Sequence, residues 1–146
     1  MSKAISLVTG ANSGIGLETA LGLALRGDTV WMAARNVGKG EAAVADIKQR
    51  SGNDDVHLLP LDLASLDSVR AAASTFLAAH DRLDVLVNNA GLILGERETT
   101  VDGFEATFAI NHLGHFLLTH LLLGALKAAA PSRIVNLSSA GHSLSL

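Results

Sequence analysis

Five short β-branched runs, separated by longer alanine- and leucine-rich segments, predict an α/β chain built on an open, doubly wound parallel sheet. The runs are Ala4–Val8, Thr29–Ala33, Val56–Leu59, Val85–Val87 and Arg133–Leu137, and helical spacing fills Gly14–Arg26, Gly38–Arg50, Ser65–His80 and Val101–Ala129. Such strands read as buried on both faces, so the alternation implies right-handed crossovers that place helices on the two sides of the sheet. A glycine-rich turn between the first strand and the first helix is the third observation, and it carries the chemistry.

The opening run, AISLV, follows one lysine and ends near a glycine, too short for the core of a signal peptide and suited to a strand. Arg26-Gly27-Asp28 closes the first helix, Arg50-Ser51-Gly52 closes the second, and Ser65 stands where a cap for the third is expected. The fourth helix holds the greasiest stretch, Phe116 to Leu126, which includes His120. That stretch is about half of the roughly 20 residues needed to cross a bilayer, so it reads as a buried helix and no membrane span is expected. After the fifth strand only SSAGHSLSL remains, with no helix to cover it. The expected organisation is a single dinucleotide-binding domain over residues 1–146, truncated after the fifth strand.

Composition narrows the function classes. Of 146 residues 49% are hydrophobic and 17% charged, which suits a core-rich globular chain and argues against disorder. Eleven Lys and Arg against fourteen Asp and Glu give a net charge of −3, leaving no basic field for nucleic acid or anionic lipid. The absence of cysteine excludes disulfides, thiol nucleophiles and thiolate metal sites. With no secretion signal visible, the expected location is the cytoplasm.

The turn reads Thr9-Gly10-Ala11-Asn12-Ser13-Gly14-Ile15-Gly16, spacing G-x-x-x-G-x-G, directly after a strand and opening a helix. Glycines there let the backbone approach a pyrophosphate, whose charge meets free N–H groups and the positive helix end. Gly10, Asn12, Ser13, Gly14, Ile15 and Gly16 are therefore candidate cofactor residues; the alternative is a tight turn that only packs helix on strand. The second strand runs into Ala34-Arg35-Asn36, where dinucleotide folds meet the adenosine ribose. An acid there would repel a 2′-phosphate, whereas Arg35, with Asn36 beside it, offers a bidentate cation, so NADP is expected ahead of NAD. An arginine simply solvated at a strand end is the alternative.

These residues and three later motifs resemble the short-chain dehydrogenase/reductase family, in family order. Asn88-Asn89-Ala90-Gly91 follows the fourth strand, Asn111 lies in Ala109-Ile110-Asn111-His112, and Asn136-Leu137-Ser138-Ser139 ends the fifth strand. The resemblance runs from Ala4 to Gly141, and DGFEATFAINHLGHFLLT and SRIVNLSSAGH look most like the retinol-dehydrogenase-like and protochlorophyllide-reductase-like branch. It implies a Rossmann-like sheet of order 3-2-1-4-5 whose carboxyl-terminal strands and helices are missing, and an NADP-dependent oxidoreductase that interconverts a small-molecule carbonyl and alcohol. It also implies that Asn89, Ala90 and Gly91 lie against the cofactor and that Asp62, with Leu63 beside it, meets the adenine. Ser139 would hydrogen-bond the substrate oxygen and Asn111 would anchor a relay water. On the residues alone, Asp62 equally fits a helix-start carboxylate, Ser139 a hydroxyl capping a strand end, and Asn111 a packing asparagine.

The family delivers its proton through a tyrosine four residues ahead of a lysine, and this sequence contains no tyrosine. His142 is the titratable residue near Ser139, and it reads as a solvated histidine rather than a substitute acid. His112, His115 and His120 lie on one predicted helix without an evident third ligand, so no metal site is expected. Three readings remain: a cofactor-binding fragment of a reductase, a non-catalytic nucleotide-binding or interaction module whose uncovered fifth strand and apolar fourth helix dock on a partner or on a second copy, or a fragment too incomplete to fold.

Overall fold

Consecutive side chains in a strand point to opposite faces of its sheet, and this rule divides the core in two. In the computed structural model, which describes residues 3–143, β1 (Ile5–Thr9) sends Leu7 to one face and Val8 to the other, both fully buried. Around Leu7 gather Leu86 of β4 (Val85–Asn88), with Val69 and Phe76 of α3 (Leu66–Ala79) and Leu118 and Leu122 of α4 (Ala106–Ala128). Around Val8 gather Val30 and Met32 of β2 (Thr29–Ala34), with Ala20 and Ala24 of α1 (Gly14–Leu25) and Ala43 and Ile47 of α2 (Val37–Ser51). With β3 (Val56–Pro60) and β5 (Arg133–Asn136), the five parallel strands run in the order β3-β2-β1-β4-β5, the doubly wound arrangement expected. Winding reverses between β1 and β4, so a crevice opens at the carboxyl ends of those two strands.

Helix ends follow the side chains available. Ser65 caps α3 as expected, its hydroxyl accepting from the Ser68 N–H at 3.3 Å. Gly52 ends α2 in the left-handed region, at φ 69°. Asn36, expected as a cofactor residue, is the cap of α2, its Oδ1 accepting from the Lys39 N–H at 2.9 Å.

The fourth helix departs from expectation at its start. Rather than beginning at Val101, it begins at Ala106, because Gly103 at φ 84° closes a turn in which its N–H reaches the Thr100 carbonyl at 2.9 Å. Glu105 then caps α4 by accepting from Thr107 N at 2.9 Å and Phe108 N at 2.7 Å, and those N–H bonds hold its carboxyl below the usual range. From Ala109 to Leu113 the helix widens to a π turn, with Gly114 N bonded to the Ala109 carbonyl. At 23 residues and mean hydropathy 1.3, α4 is longer than the stretch read from the sequence and long and apolar enough to cross a bilayer. Its Leu118, Leu122 and Leu126 are instead buried against the sheet and α3.

β5 pairs in register with β4, from Val85 opposite Arg133 to Asn88 opposite Asn136. All four of its residues are exposed, with Ile134 and Val135 open at 42% and 44%. The strand ends one residue short of expectation, although the Leu137 N–H still reaches the Asn88 carbonyl at 3.0 Å.

Gly114 sits where α4 crosses the loop after β3: a Cβ there would lie 2.7 Å from the Leu63 carbonyl oxygen and 2.9 Å from its Cδ2. Gly114→Ala should therefore destabilise the fold, since overpacking costs about 1–3 kcal/mol and helix propensity returns at most about 1. Gly124→Ala, on the same helix and meeting nothing within 4 Å, should stabilise by roughly 0.5–1 kcal/mol. Urea midpoints of the two variants, moving in opposite directions, check this.

Candidate functional site

The crevice at the β1/β4 reversal is built from the backbone outward. Gly10 leaves β1 at φ 62°, and a Cβ there would lie 2.9 Å from Cα of Ala90. In the first turn of α1, a Cβ on Gly16 would strike the Gly10 carbonyl oxygen and come within 2.5 Å of Asn89 Nδ2. No side chain fits at either position, so the turn and the Asn88–Gly91 segment close on each other. Ser13 is the N-cap of α1 yet makes no side-chain cap bond, and Ser13, Gly14 and Ile15 are exposed, with Ile15 open at 67%. The N–H groups of the first helical turn have no intrahelical partners and carry the positive end of the helix dipole, a cradle for an anion.

Thr9 and Asn89 fasten this cradle. Asn89 donates its Nδ2 to the Thr9 carbonyl at 2.8 Å and the Gly10 carbonyl at 3.3 Å. In return, the Thr9 hydroxyl oxygen accepts from Asn89 N and Ala90 N, both at 3.0 Å. The next strand is tied in by Asn88, whose Nδ2 donates to Thr119 Oγ1 at 3.0 Å and to Asn136 Oδ1 at 2.8 Å.

A cleft of about 1060 Å³ opens alongside, walled by Asn89 to Ile93, by Asn111, His115 and Phe116 on α4, and by Leu137 to Ser139 beyond β5. It brings together Ile15, Asn89, Ala90, Gly91, Asn111 and Ser139 among the residues expected from the sequence. Gly10, Asn12, Ser13, Gly14 and Gly16 form the adjoining turn. Arg35 and Asn36 stand apart at the end of β2, both exposed, and Asp62 just beyond β3.

Three expected residues have firm structural partners. Asp62 Oδ1 accepts from Ala64 N at 2.9 Å in the turn before α3. Leu63, expected against the cofactor, is 6% exposed and packs its side chain under Gly114. Asn111, expected to anchor a relay water, pairs its amide with one residue, accepting from Leu92 N at 2.9 Å and donating to the Leu92 carbonyl at 2.8 Å. Ser139 is exposed at the mouth of the cleft, with its Oγ accepting from Gly141 N at 3.1 Å. The side chain of His142 lies outside the described residues.

Residues 4–144 match the family model described as short chain dehydrogenase. The chain belongs to that family. Within it, the retinol-dehydrogenase-like reading holds: retinol dehydrogenase 11 of Mus musculus is 55% identical over 140 residues, which are 96% of this chain and 44% of that relative. The chain thus spans less than half the length of a relative it matches closely. Among solved family structures, a metagenomic short-chain oxidoreductase in complex with NADP aligns with TM-score 0.84 and 34% identity, over 98% of this chain and 65% of that one. The NADP active-site complex of RhlG from Pseudomonas aeruginosa aligns with TM-score 0.82 and 31% identity, over 95% of this chain and 56% of that one.

Sequence reasoning did not single out Thr9 or His115. Thr9 was read only as the residue opening the glycine motif, and His115 only as one of three helix histidines. The signal for His115 was its place one turn after Asn111 on the apolar side of the helix.

The Asn89 side chain holds the Thr9 and Gly10 carbonyls together at the mouth of the crevice. Asn89→Ala should lower stability by about 1–3 kcal/mol, seen as a lower urea midpoint at unchanged slope.

Proposed function

We propose that this chain is the dinucleotide-binding part of an NADP-dependent oxidoreductase that transfers hydride between nicotinamide and a small-molecule carbonyl or alcohol. The observation that carries the reading is the side-chain-free cradle of Gly10 and Gly16 at the start of α1, held against Ala90 by Asn89. A pyrophosphate fits there because the backbone can approach it and the helix end favours its charge. Arg35, after a β2 end that lacks any acid, would pair with a 2′-phosphate. The NADP complexes among the family's solved structures support the same cofactor.

When bound, the nicotinamide would supply or accept hydride; the chain's own residues bind and orient. Ser139 at the cleft mouth would donate a hydrogen bond to the substrate oxygen, where charge develops. Asn111 would hold the Gly91–Leu92 backbone against the nicotinamide half. The cleft's apolar lining, from Leu92, Ile93, Phe116, Leu123 and Ile134, suits an apolar, retinoid-like substrate. These 146 residues contain no tyrosine, so the proton would come from a tyrosine–lysine pair in a longer product and this chain alone would bind cofactor without turnover. A second reading, an interaction module that self-associates, draws on the exposed apolar residues of β5 and on Phe108 and Phe116, open at 53% and 65%.

Titration of the chain with NADPH and NADH, followed by cofactor fluorescence, tests the proposal. NADPH should bind at least about tenfold more tightly, as expected for one charge-assisted bidentate contact, and Arg35→Glu should abolish that preference. Equal affinity for both cofactors would remove the NADP assignment. No binding by a folded, self-associated chain would favour the second reading.

A further inference from the structure

His115 is 6% exposed, near the middle of α4, and belongs to no role assigned so far. Its Nε2 lies 2.8 Å from Thr9 Oγ1 and its Nδ1 lies 3.4 Å from the Asn111 carbonyl. The ring thus joins the end of β1 to the wide turn of α4 that carries Asn111.

Donor counting fixes the protonation state. The two lone pairs of the Thr9 hydroxyl face Asn89 N and Ala90 N, both at 3.0 Å, so the oxygen has only its proton left to give. Its two outlets are His115 Nε2 at 2.8 Å and the Val87 carbonyl at 3.5 Å, and the shorter contact takes it. Nε2 is then the bare nitrogen, and the proton of a neutral ring sits on Nδ1, facing the Asn111 carbonyl. An imidazolium would turn a second N–H against a hydroxyl already saturated as an acceptor. Burial favours the neutral ring and pushes its pKa below the ordinary value; the Asn111 carbonyl pulls the other way and neighbouring His112 adds to the lowering. From β1 and β4 the ring meets only neutral groups through Thr9.

We propose that His115, as the neutral Nδ1–H imidazole, is a positioning residue of the dinucleotide site: it orients the Thr9 hydroxyl toward the Asn89–Ala90 backbone and braces the π turn that presents Asn111. The proposal rests on the cofactor-binding reading for its effect on affinity, and on the hydrogen-bond geometry alone for its effect on the fold of the crevice. The Thr9 proton cannot satisfy Val87 and His115 together. Without the ring, the hydroxyl is free to rotate toward Val87, and the Ala90 amide loses its fixed acceptor, whereas that of Asn89 keeps the Val87 carbonyl at 3.1 Å. The Asn111 carbonyl loses its imidazole partner in the same change.

The test uses the whole chain with His115→Leu, His115→Gln, Thr9→Val and the His115→Leu/Thr9→Val double variant. At pH 7 the nitrogen resonances of the His115 ring should show the Nδ1–H tautomer. His115→Leu should weaken NADPH binding by about tenfold, the loss expected when buried hydrogen bonds are left unmade, and should shift the amide resonances of Ala90 and Leu92. In His115→Gln the carboxamide oxygen replaces Nε2 as acceptor, so affinity should return to within about threefold and the Ala90 resonance toward its original place. The double variant should bind no more weakly than the weaker single variant, because both act through one hydroxyl. An Nε2–H tautomer, or a His115→Leu chain with unmoved Ala90 and Leu92 resonances, would overturn the proposal. If the unaltered chain fails to bind NADPH, the proposed function falls, while the tautomer and the Ala90 and Leu92 shifts still decide the role of His115. If His115→Leu does not fold, the tautomer and the Gln variant decide it.

Discussion

At the end of β1 the Thr9 hydroxyl takes two backbone N–H groups from the next strand's turn and gives its own proton to His115, and the crevice depends on that one oxygen. A doubly wound sheet must splay where its winding reverses, and the carboxyl ends of β1 and β4 have no further ladder to hold them together. Side chains do the joining: Thr9 and Asn89 exchange bonds across the gap, and Asn88 carries the connection on to Asn136 of β5. Glycine makes the exchange sterically feasible, since a methyl group on Gly10 or Gly16 would occupy the space in which these groups meet. The anion cradle and its fastening are one construction.

Behind the crevice, the two half-cores bring different materials to the same sheet. The α1/α2 face relies on small helix residues, Ala20, Ala24 and Ala43, which let those helices lie close over Val8, Val30 and Met32. The α3/α4 face is filled by larger groups, Phe76, Leu118 and Leu122. Small residues occur there too, Ala72, Ala73 and Ala125 among them, and Gly114 brings α4 down onto Leu63 beside the π turn. The widened turn therefore sits beside that close approach, with Asn111 at its middle and His115 two residues past its end.

Much of this was legible in the residues. Strand and helix order followed from apolar runs and glycine punctuation, because a parallel sheet buried on both faces leaves an almost continuous apolar signature in its strands. The glycine turn was legible because its spacing is dictated by close backbone approach, and the Asn88–Gly91 segment through its resemblance to the family's motif. The start of α4 was not, since Val101–Phe104 continues the apolar pattern while Gly103 and the Glu105 cap set the boundary locally. A π turn changes no residue type and leaves no mark in composition. Leu63 was read beside Asp62 at the site, and the burial of its side chain in the core was not marked by its position after that aspartate. The contact between Thr9 and His115 spans 106 positions in the chain, and no local pattern encodes a meeting of that kind.

The uneven burial of the strands has a further meaning. β1 is paired on both sides and sheathed on both faces, whereas β5 is paired on one side and exposed at all four residues. Local opening is easiest where few apolar contacts must be broken, so the molecule is graded across its own crevice, firm beneath the glycine turn and loose beneath Ser139. A ligand seated on the firm half meets a shape that already exists. A ligand reaching toward Ser139 lies over a strand with fewer apolar contacts to hold it in place.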